Sequence, residues 1–203
     1  MSNFSKNWEA PPKKVSAPSG PLKPQIENAI RLIQTQMQRL DIEGSKLGEK
    51  DRALFNKVVD YYSKHDMDRA RICANELSEV RKLSKRVLQM KLALESIQLR
   101  LVTVKDYGDI LGTVNPALSL IKNLKGGVAQ IVPEAEKGFA SLGESLSSIV
   151  SEAGQASGLD VTFEATNDEA LKIMNDAAIV AEQKIKDKFP DLPADVYKEG
   201  VQL

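Results

Sequence analysis

From Gln25 onward, apolar residues recur at spacings of four and three: Ile26, Ile30, Ile33, Met37, Leu40, Leu47, Leu54, Val58 and Tyr61. Gly44 and Asp51 occupy the two positions of this seam that are not apolar, and the phase survives both. A 3.5-residue period marks a helix that buries one narrow stripe against another helix. The spacing predicts a helix over 25–63, about 58 Å long at 1.5 Å per residue. Pro24 suits its first turn, where no N–H is required, and Gly44 with Gly48 weakens its middle. The polar run Lys64-His65-Asp66-Met67-Asp68 interrupts the pattern, with Asp66 or Asp68 placed to cap the next helix. A second seam starts at once: Cys73, Leu77, Val80, Leu83, Val87, Met90, Leu94, Ile97, Leu101 and Val104. Two long seams joined by so few residues fold back as an antiparallel helical hairpin.

Beyond Lys105 the pattern weakens. Gly108, Gly112 and Asn115-Pro116 predict a break, 117–125 a short amphipathic segment ended by Gly126-Gly127, and 133–153 a Ser-rich helix with Phe139, Leu142, Leu146 and Ile149 on one side. Gly154, Gly158 and Thr162 read as a linker. Asn167 or Asp168 caps a last helix over 169–189, with Leu171, Met174, Ala178, Ala181 and Ile185 together and Pro190 as its stop. Residues 1–24 hold five prolines and read as a flexible arm. The expected fold is all-α: a long antiparallel helical hairpin, shorter helices, then a C-terminal regulatory helix. The chain divides into an arm (1–24), a helical core (25–157), and a linker, helix and short proline-bounded segment (158–203).

Charge changes the picture. The chain has 28 basic and 28 acidic residues, but 20 of the basic and 12 of the acidic ones fall within 1–105. The first half is therefore net positive by 8 and the second net negative by 8. A basic hairpin seeks an anionic partner, and an acidic tail can compete for it. Arg81, Lys82, Lys85, Arg86 and Lys91 crowd the middle of the second helix. Like charges at i, i+4 mildly destabilise a helix, so the cluster reads either as a membrane-facing surface or as a solvated face. In the arm, Phe4 and Trp8 stand four apart among Lys6, Lys13 and Lys14, a pattern suited to insertion at a membrane interface. Leu88, Leu92, Leu99 and Val102 lie off the second seam. A helix apolar on two sides must cover the second stripe with a later part of the chain, such as 117–150, or with another copy.

Composition is unfavourable to chemistry. One Cys (Cys73) and one His (His65) exclude an internal disulfide, a cysteine-rich zinc site and a di-iron bundle. No phosphate-binding glycine loop or dinucleotide fingerprint is present, and a lone His in a turn makes no triad. No metal, cofactor or enzymatic activity is expected. Nucleic acid is not an expected partner either, since the basic helix lacks stacking aromatics. No apolar run approaches the ~18 residues of a membrane-spanning helix and no segment reads as a signal peptide, so the expectation is a cytoplasmic protein.

The hairpin turn and early second helix, Tyr61-Tyr62-Ser63-Lys64-His65-Asp66-Met67-Asp68-Arg69-Ala70-Arg71-Ile72-Cys73-Ala74-Asn75-Glu76-Leu77, resemble the ESCRT-III family, most closely its archaeal cell-division branch. Glu76-Leu77-Ser78-Glu79-Val80-Arg81-Lys82 and Ala93-Leu94-Glu95-Ser96-Ile97 are similar to family positions, and the plan of basic hairpin, weaker helices and acidic tail extends over about 22–193. The resemblance implies a membrane-remodelling filament subunit that polymerises with itself and with related subunits. It implies a peripheral position on the inner face of the cell membrane, at the division site, and disassembly by an MIT-domain AAA ATPase. The segment Leu171–Ile185 lacks the family's Leu-x-x-Arg-Leu pattern, while Phe189-Pro190-Asp191-Leu192-Pro193 loosely resembles its extended proline-type motif. On this reading Phe4, Trp8 and the five basic residues contact membrane. Leu88, Leu92, Leu99 and Val102 carry polymerisation, and Phe189, Pro190, Leu192 and Pro193 meet the ATPase. The alternative is a coiled-coil adaptor that oligomerises without lipid.

Overall fold

The computed structural model describes residues 22–107, 110–157 and 164–192. Its elements are α1 (Leu22–Ser63), α2 (Met67–Tyr107), α3 (Ile110–Ile131), α4 (Glu136–Ser157) and α5 (Glu164–Lys188), with a 3-10 turn at Pro133–Ala135 between α3 and α4. The all-α hairpin architecture expected from the two seams is present. The arm with Phe4 and Trp8, the linker positions Gly158 and Thr162, and Pro193 lie outside the described residues, whereas Gly154, expected in that linker, is inside α4, which runs on to Ser157.

α1 and α2 pack along their length through the residues the heptads single out. Ile26, Ile33, Leu40, Leu47, Leu54 and Val58 are buried on α1, and Leu77, Val80, Val87, Met90, Leu94, Ile97, Leu101 and Val104 on α2. Cys73 and Leu83 are half-buried at the edge of the same core. The turn between the helices is built by capping alone. His65 N–H donates to the Tyr62 carbonyl and Asp66 N–H to the Tyr61 carbonyl, each at 3.0 Å, closing the end of α1. This bonding places His65 in the left-handed region, with φ 60°. Asp66 then starts α2, its carboxylate accepting the Arg69 N–H at 3.2 Å. A left-handed conformation costs an L-residue about 1–2 kcal/mol. Glycine avoids that cost but loses more entropy on folding. His65→Gly should therefore raise stability by about 1 kcal/mol, read as a higher urea midpoint at unchanged slope.

α3 departs from the expected break-and-segment pattern. It runs unbroken through Asn115-Pro116 and through Gly126-Gly127. Proline in a helix interior costs about 3 kcal/mol and each glycine about 1 kcal/mol, so local propensity argued for interruption. Burial wins. Val114 through Leu118 are all buried, as are Leu120, Ile121, Leu124 and Val128, because α3 is covered by α2, α4 and α5. Neither Gly126 nor Gly127 has a neighbour that a side chain would meet, so packing does not require them to be glycines.

α4 folds back on α3 and α1. Phe139, Leu142, Leu146 and Ile149, the stripe expected for this helix, are fully buried. Gly138 lets α4 approach α1 closely, since a side chain there would strike the amide of buried Gln36. Arg39 Nη1 donates to the Glu134 carbonyl at 3.0 Å at the start of this contact.

α5 begins at Glu164, so Asn167 and Asp168 lie inside the helix and not at its cap. Its buried face is Ala170, Ile173, Ala177 and Ala181. Leu171, expected on that face, is half exposed. The correction has a steric reason: α5 lies against both α2 and α3, and alanines allow the close approach.

Candidate functional site

The face of the hairpin that carries the basic cluster is also the face on which α5 lies. α5 runs antiparallel to α2, fastened by Arg100 to Glu169, by Gln89 Nε2 donating to the Met174 carbonyl at 3.2 Å, and by Lys85 to Glu182 at 2.9 Å. At the end of this contact Phe189 is buried, its ring centroid 5.3 Å from the Arg81 guanidinium and 5.4 Å from Lys188 Nζ. Leu192 is buried just beyond it, and Pro190 is exposed. The segment 182–192 thus covers the middle of the basic helix.

The five basic residues fall into different environments. Arg81 is mostly buried and its Nε donates to Asp51 Oδ1 at 2.8 Å. Lys85 pairs with Glu182, which Lys186 also contacts at 3.1 Å. Lys91 meets Asp41 at 2.6 Å and Glu95 at 3.7 Å, and its hydrogen bond to Asp41 holds its pKa above the ordinary lysine value. Lys82 is exposed and pairs within its own helix with Glu79 at 2.8 Å. Arg86 is exposed and has no ion pair among the described residues. Lys82 and Arg86 are the two that face solvent.

The apolar stripe also divides. Leu92 packs half-buried against the core, and Leu88 lines a small cavity together with Ile185 of α5. Leu99 and Val102 stay in water, 70% and 41% exposed. The cover at Leu88 therefore comes from α5, not from 117–150.

The hydrogen bond from Lys85, followed by that from Lys186, pulls the Glu182 carboxyl below its ordinary value of 4.5. A depressed carboxyl contributes stability that is present above its unfolded pKa and lost as pH falls through the folded one. Because the pair is exposed to solvent, docking of α5 should loosen only slightly as pH falls below about 4.5, seen as a small rise in amide exchange in α5 relative to α1. Glu182→Gln should remove that part of the pH dependence and leave the rest.

A relative from Sulfolobus acidocaldarius, Cell division protein B1, is 38% identical over 192 residues, covering 94% of this chain and 90% of its own length. The chain belongs to the archaeal cell-division branch of the ESCRT-III family. Cell division protein B of the same organism is 32% identical over 161 residues, 79% of this chain and 62% of that relative. No family model matches the chain, and no solved structure does. No helix among the described residues of this ESCRT-III chain is long and apolar enough to cross a membrane. Nor do they hold a cluster of three His, Cys, Asp or Glu side chains placed to bind a metal ion.

The feature that sequence reasoning missed is the Asp51–Arg81 pair. Asp51 was visible as a polar residue on an apolar seam, and Arg81 as one cation among five. Their meeting joins the interior of the hairpin to the C-terminal segment, because Arg81 donates from Nε to Asp51 and its guanidinium lies 5.3 Å from the Phe189 ring centroid.

Proposed function

We propose that the chain is a membrane-remodelling filament subunit of archaeal cell division, peripheral on the inner face of the cell membrane. It polymerises with itself and related subunits on anionic lipid. The observation that carries this reading is the placement of α5 and Phe189 over the basic helix: a cationic surface and an acidic cover for it exist in one chain. The cover is detachable on physical grounds. Its buried face is mostly alanine, and each CH₂ that an alanine lacks relative to leucine forgoes about 0.8 kcal/mol of burial. Its ion pairs at Lys85 and Glu182 are about half exposed and so contribute little. Release of α5 uncovers Lys85 and Arg81 beside Lys82, Arg86 and Lys91, with Phe4 and Trp8 as further membrane anchors. The same release frees Phe189 and Leu192, which with Pro190 and Pro193 form the segment offered to an MIT-domain AAA ATPase.

The test is cosedimentation with vesicles of phosphatidylcholine carrying phosphatidylserine. A chain ending at Ser157 should bind more tightly than the full chain and form filaments at lower concentration. Lys82→Glu with Arg86→Glu should weaken binding well over tenfold, since each basic residue near an anionic leaflet contributes about 1 kcal/mol. Equal binding by full, truncated and charge-reversed chains would leave a coiled-coil scaffold without lipid contact as the better reading.

A further inference from the structure

Where α1 passes under the end of α5, the bundle is not filled. A cavity of about 520 Å³ opens there, walled by Gly48, Asp51, Arg52 and Phe55 of α1 and by Lys188 and Phe189. A second cavity of about 160 Å³ shares Ser45 and Lys188 with it and reaches between α1 and α2 to Ser84. The combined space is within the range of small-ligand pockets. Gly48 opens onto the larger space, where a side chain would meet Lys188 Nζ at 3.6 Å, and Gly44 lines the smaller one, facing Val87 of α2.

The charged residues of the larger cavity's wall are Glu49, Asp51, Arg52 and Lys188. Arg52 and Lys188 approach from opposite sides, and neither has a carboxylate partner among the described residues. Asp51 also lines the cavity, but Arg81 matches its charge at 2.8 Å, which leaves Glu49 as the opposing carboxylate. Two cations, Arg81 and Lys188, lie within 5.3 and 5.4 Å of one ring, that of Phe189. With Arg81 spent on Asp51, Arg52 and Lys188 are the cations left for an anion to pair with. Donors nearby are also unspent: the Ser84 hydroxyl, on the wall of the smaller cavity and only 6% exposed, and Arg81 Nη2, on the guanidinium beside the Phe189 ring, are buried without a hydrogen-bond partner among the described residues. A buried donor left unpaired is costly, and an acceptor-rich ligand removes that cost.

We propose that this cavity is a binding site for a phosphate group, carried by a small solute or by a lipid head. Arg52 and Lys188 grip it from the two walls, the guanidinium fork matching two phosphate oxygens, and the Phe55 and Phe189 rings face whatever the phosphate is attached to. Phe189 forms a wall, so the site exists only while the C-terminal segment is docked. Its ligand therefore favours the docked state by mass action. Phosphate binding here does not depend on membrane binding by the basic helix.

Thermal unfolding of the full chain in sodium phosphate, against sodium chloride of equal ionic strength, tests it. A phosphate-specific rise in Tm of about 2–4 °C is expected, the size of effect for a ligand several-fold above its Kd on a chain of this length. Arg52→Gln with Lys188→Gln, both at exposed positions, should abolish the rise. Gly48→Leu should abolish it too while keeping every charge, because the new side chain enters the cavity. A second arm monitors protease cleavage after Lys188 with vesicles of phosphatidylcholine, with or without phosphatidic acid. Protection by free phosphate assigns a soluble ligand, and protection by phosphatidic acid vesicles alone assigns a head group. No phosphate-specific shift and no protection in the parent chain would overturn the proposal, as would shifts of equal size in both variants.

Discussion

Arg81→Met is expected to destabilise the protein by about 3 kcal/mol, far more than a surface substitution of the same kind. The reason lies in Asp51, whose side chain is 2% exposed and is held by Arg81 at 2.8 Å. Removing the guanidinium leaves a buried carboxylate with no counter-charge in the middle of the hairpin seam. Breaking a buried pair costs about 3–5 kcal/mol, whereas replacing both members by apolar residues is often neutral or stabilising. The double variant Asp51→Leu with Arg81→Met should therefore recover most of the loss, and a double-mutant cycle from urea denaturation gives the coupling. A single-variant loss below about 1 kcal/mol would mean that Asp51 finds water or another partner, and would remove the pair from the account of hairpin stability. The pair also separates two meanings of the basic cluster. Arg81 is built into the fold, so a lipid-binding defect in an Arg81 variant has to be read beside its stability. Lys82 and Arg86 are exposed and report on the surface alone.

Much of the hairpin was legible because its evidence is periodic and long. The heptads of α1 and α2 name nearly every core residue, and a short polar run between them leaves one topology. Two of the missed ion pairs obey a simple rule. Residues equidistant from Asp66 face one another across the hairpin, which joins Asp51 to Arg81 and Asp41 to Lys91. Reflecting the chain about its turn would have assigned both. The later helices were harder because their boundaries are decided by burial contributed from elsewhere. Nothing local to Asn115-Pro116 or Gly126-Gly127 announces that α2, α4 and α5 will enclose α3 and outweigh the propensity penalty. The face of α5 was misjudged for a related reason. Leu171 looked like the better core residue, but a helix lying against two others is set by how closely it can approach, and Ala170, Ala177 and Ala181 approach best. Charge asymmetry marked both the basic cluster on α2 and the acidic half of the chain from which α5 comes. It could not say which cation would be spent inside the fold, since that depends on which of the five reflects onto a carboxylate.

Leu99→Asp with Val102→Asp should abolish filament formation while leaving the fold intact. Both residues are on α2, near the Arg100–Glu169 contact that holds the start of α5, and both are exposed to water at 70% and 41%. Adjacent large apolar side chains left exposed on a helix surface offer a contact for a neighbouring subunit. The other half of the stripe is occupied within the chain, Leu92 by the core and Leu88 by its cavity with Ile185. That division decides the choice of variant. Leu92→Asp would force a carboxylate against buried side chains and confuse loss of assembly with loss of fold. At Leu99 and Val102 a carboxylate stays hydrated, so the stability change should remain within about 0.5 kcal/mol. Each new charge would still have to be desolvated in any contact with a neighbouring subunit. Circular dichroism and electron microscopy on one sample make the comparison. A well-folded double variant that still forms filaments would shift the polymer contact to another exposed apolar pair, of which Ile179 and Val180 on the outer side of α5 are the next to test.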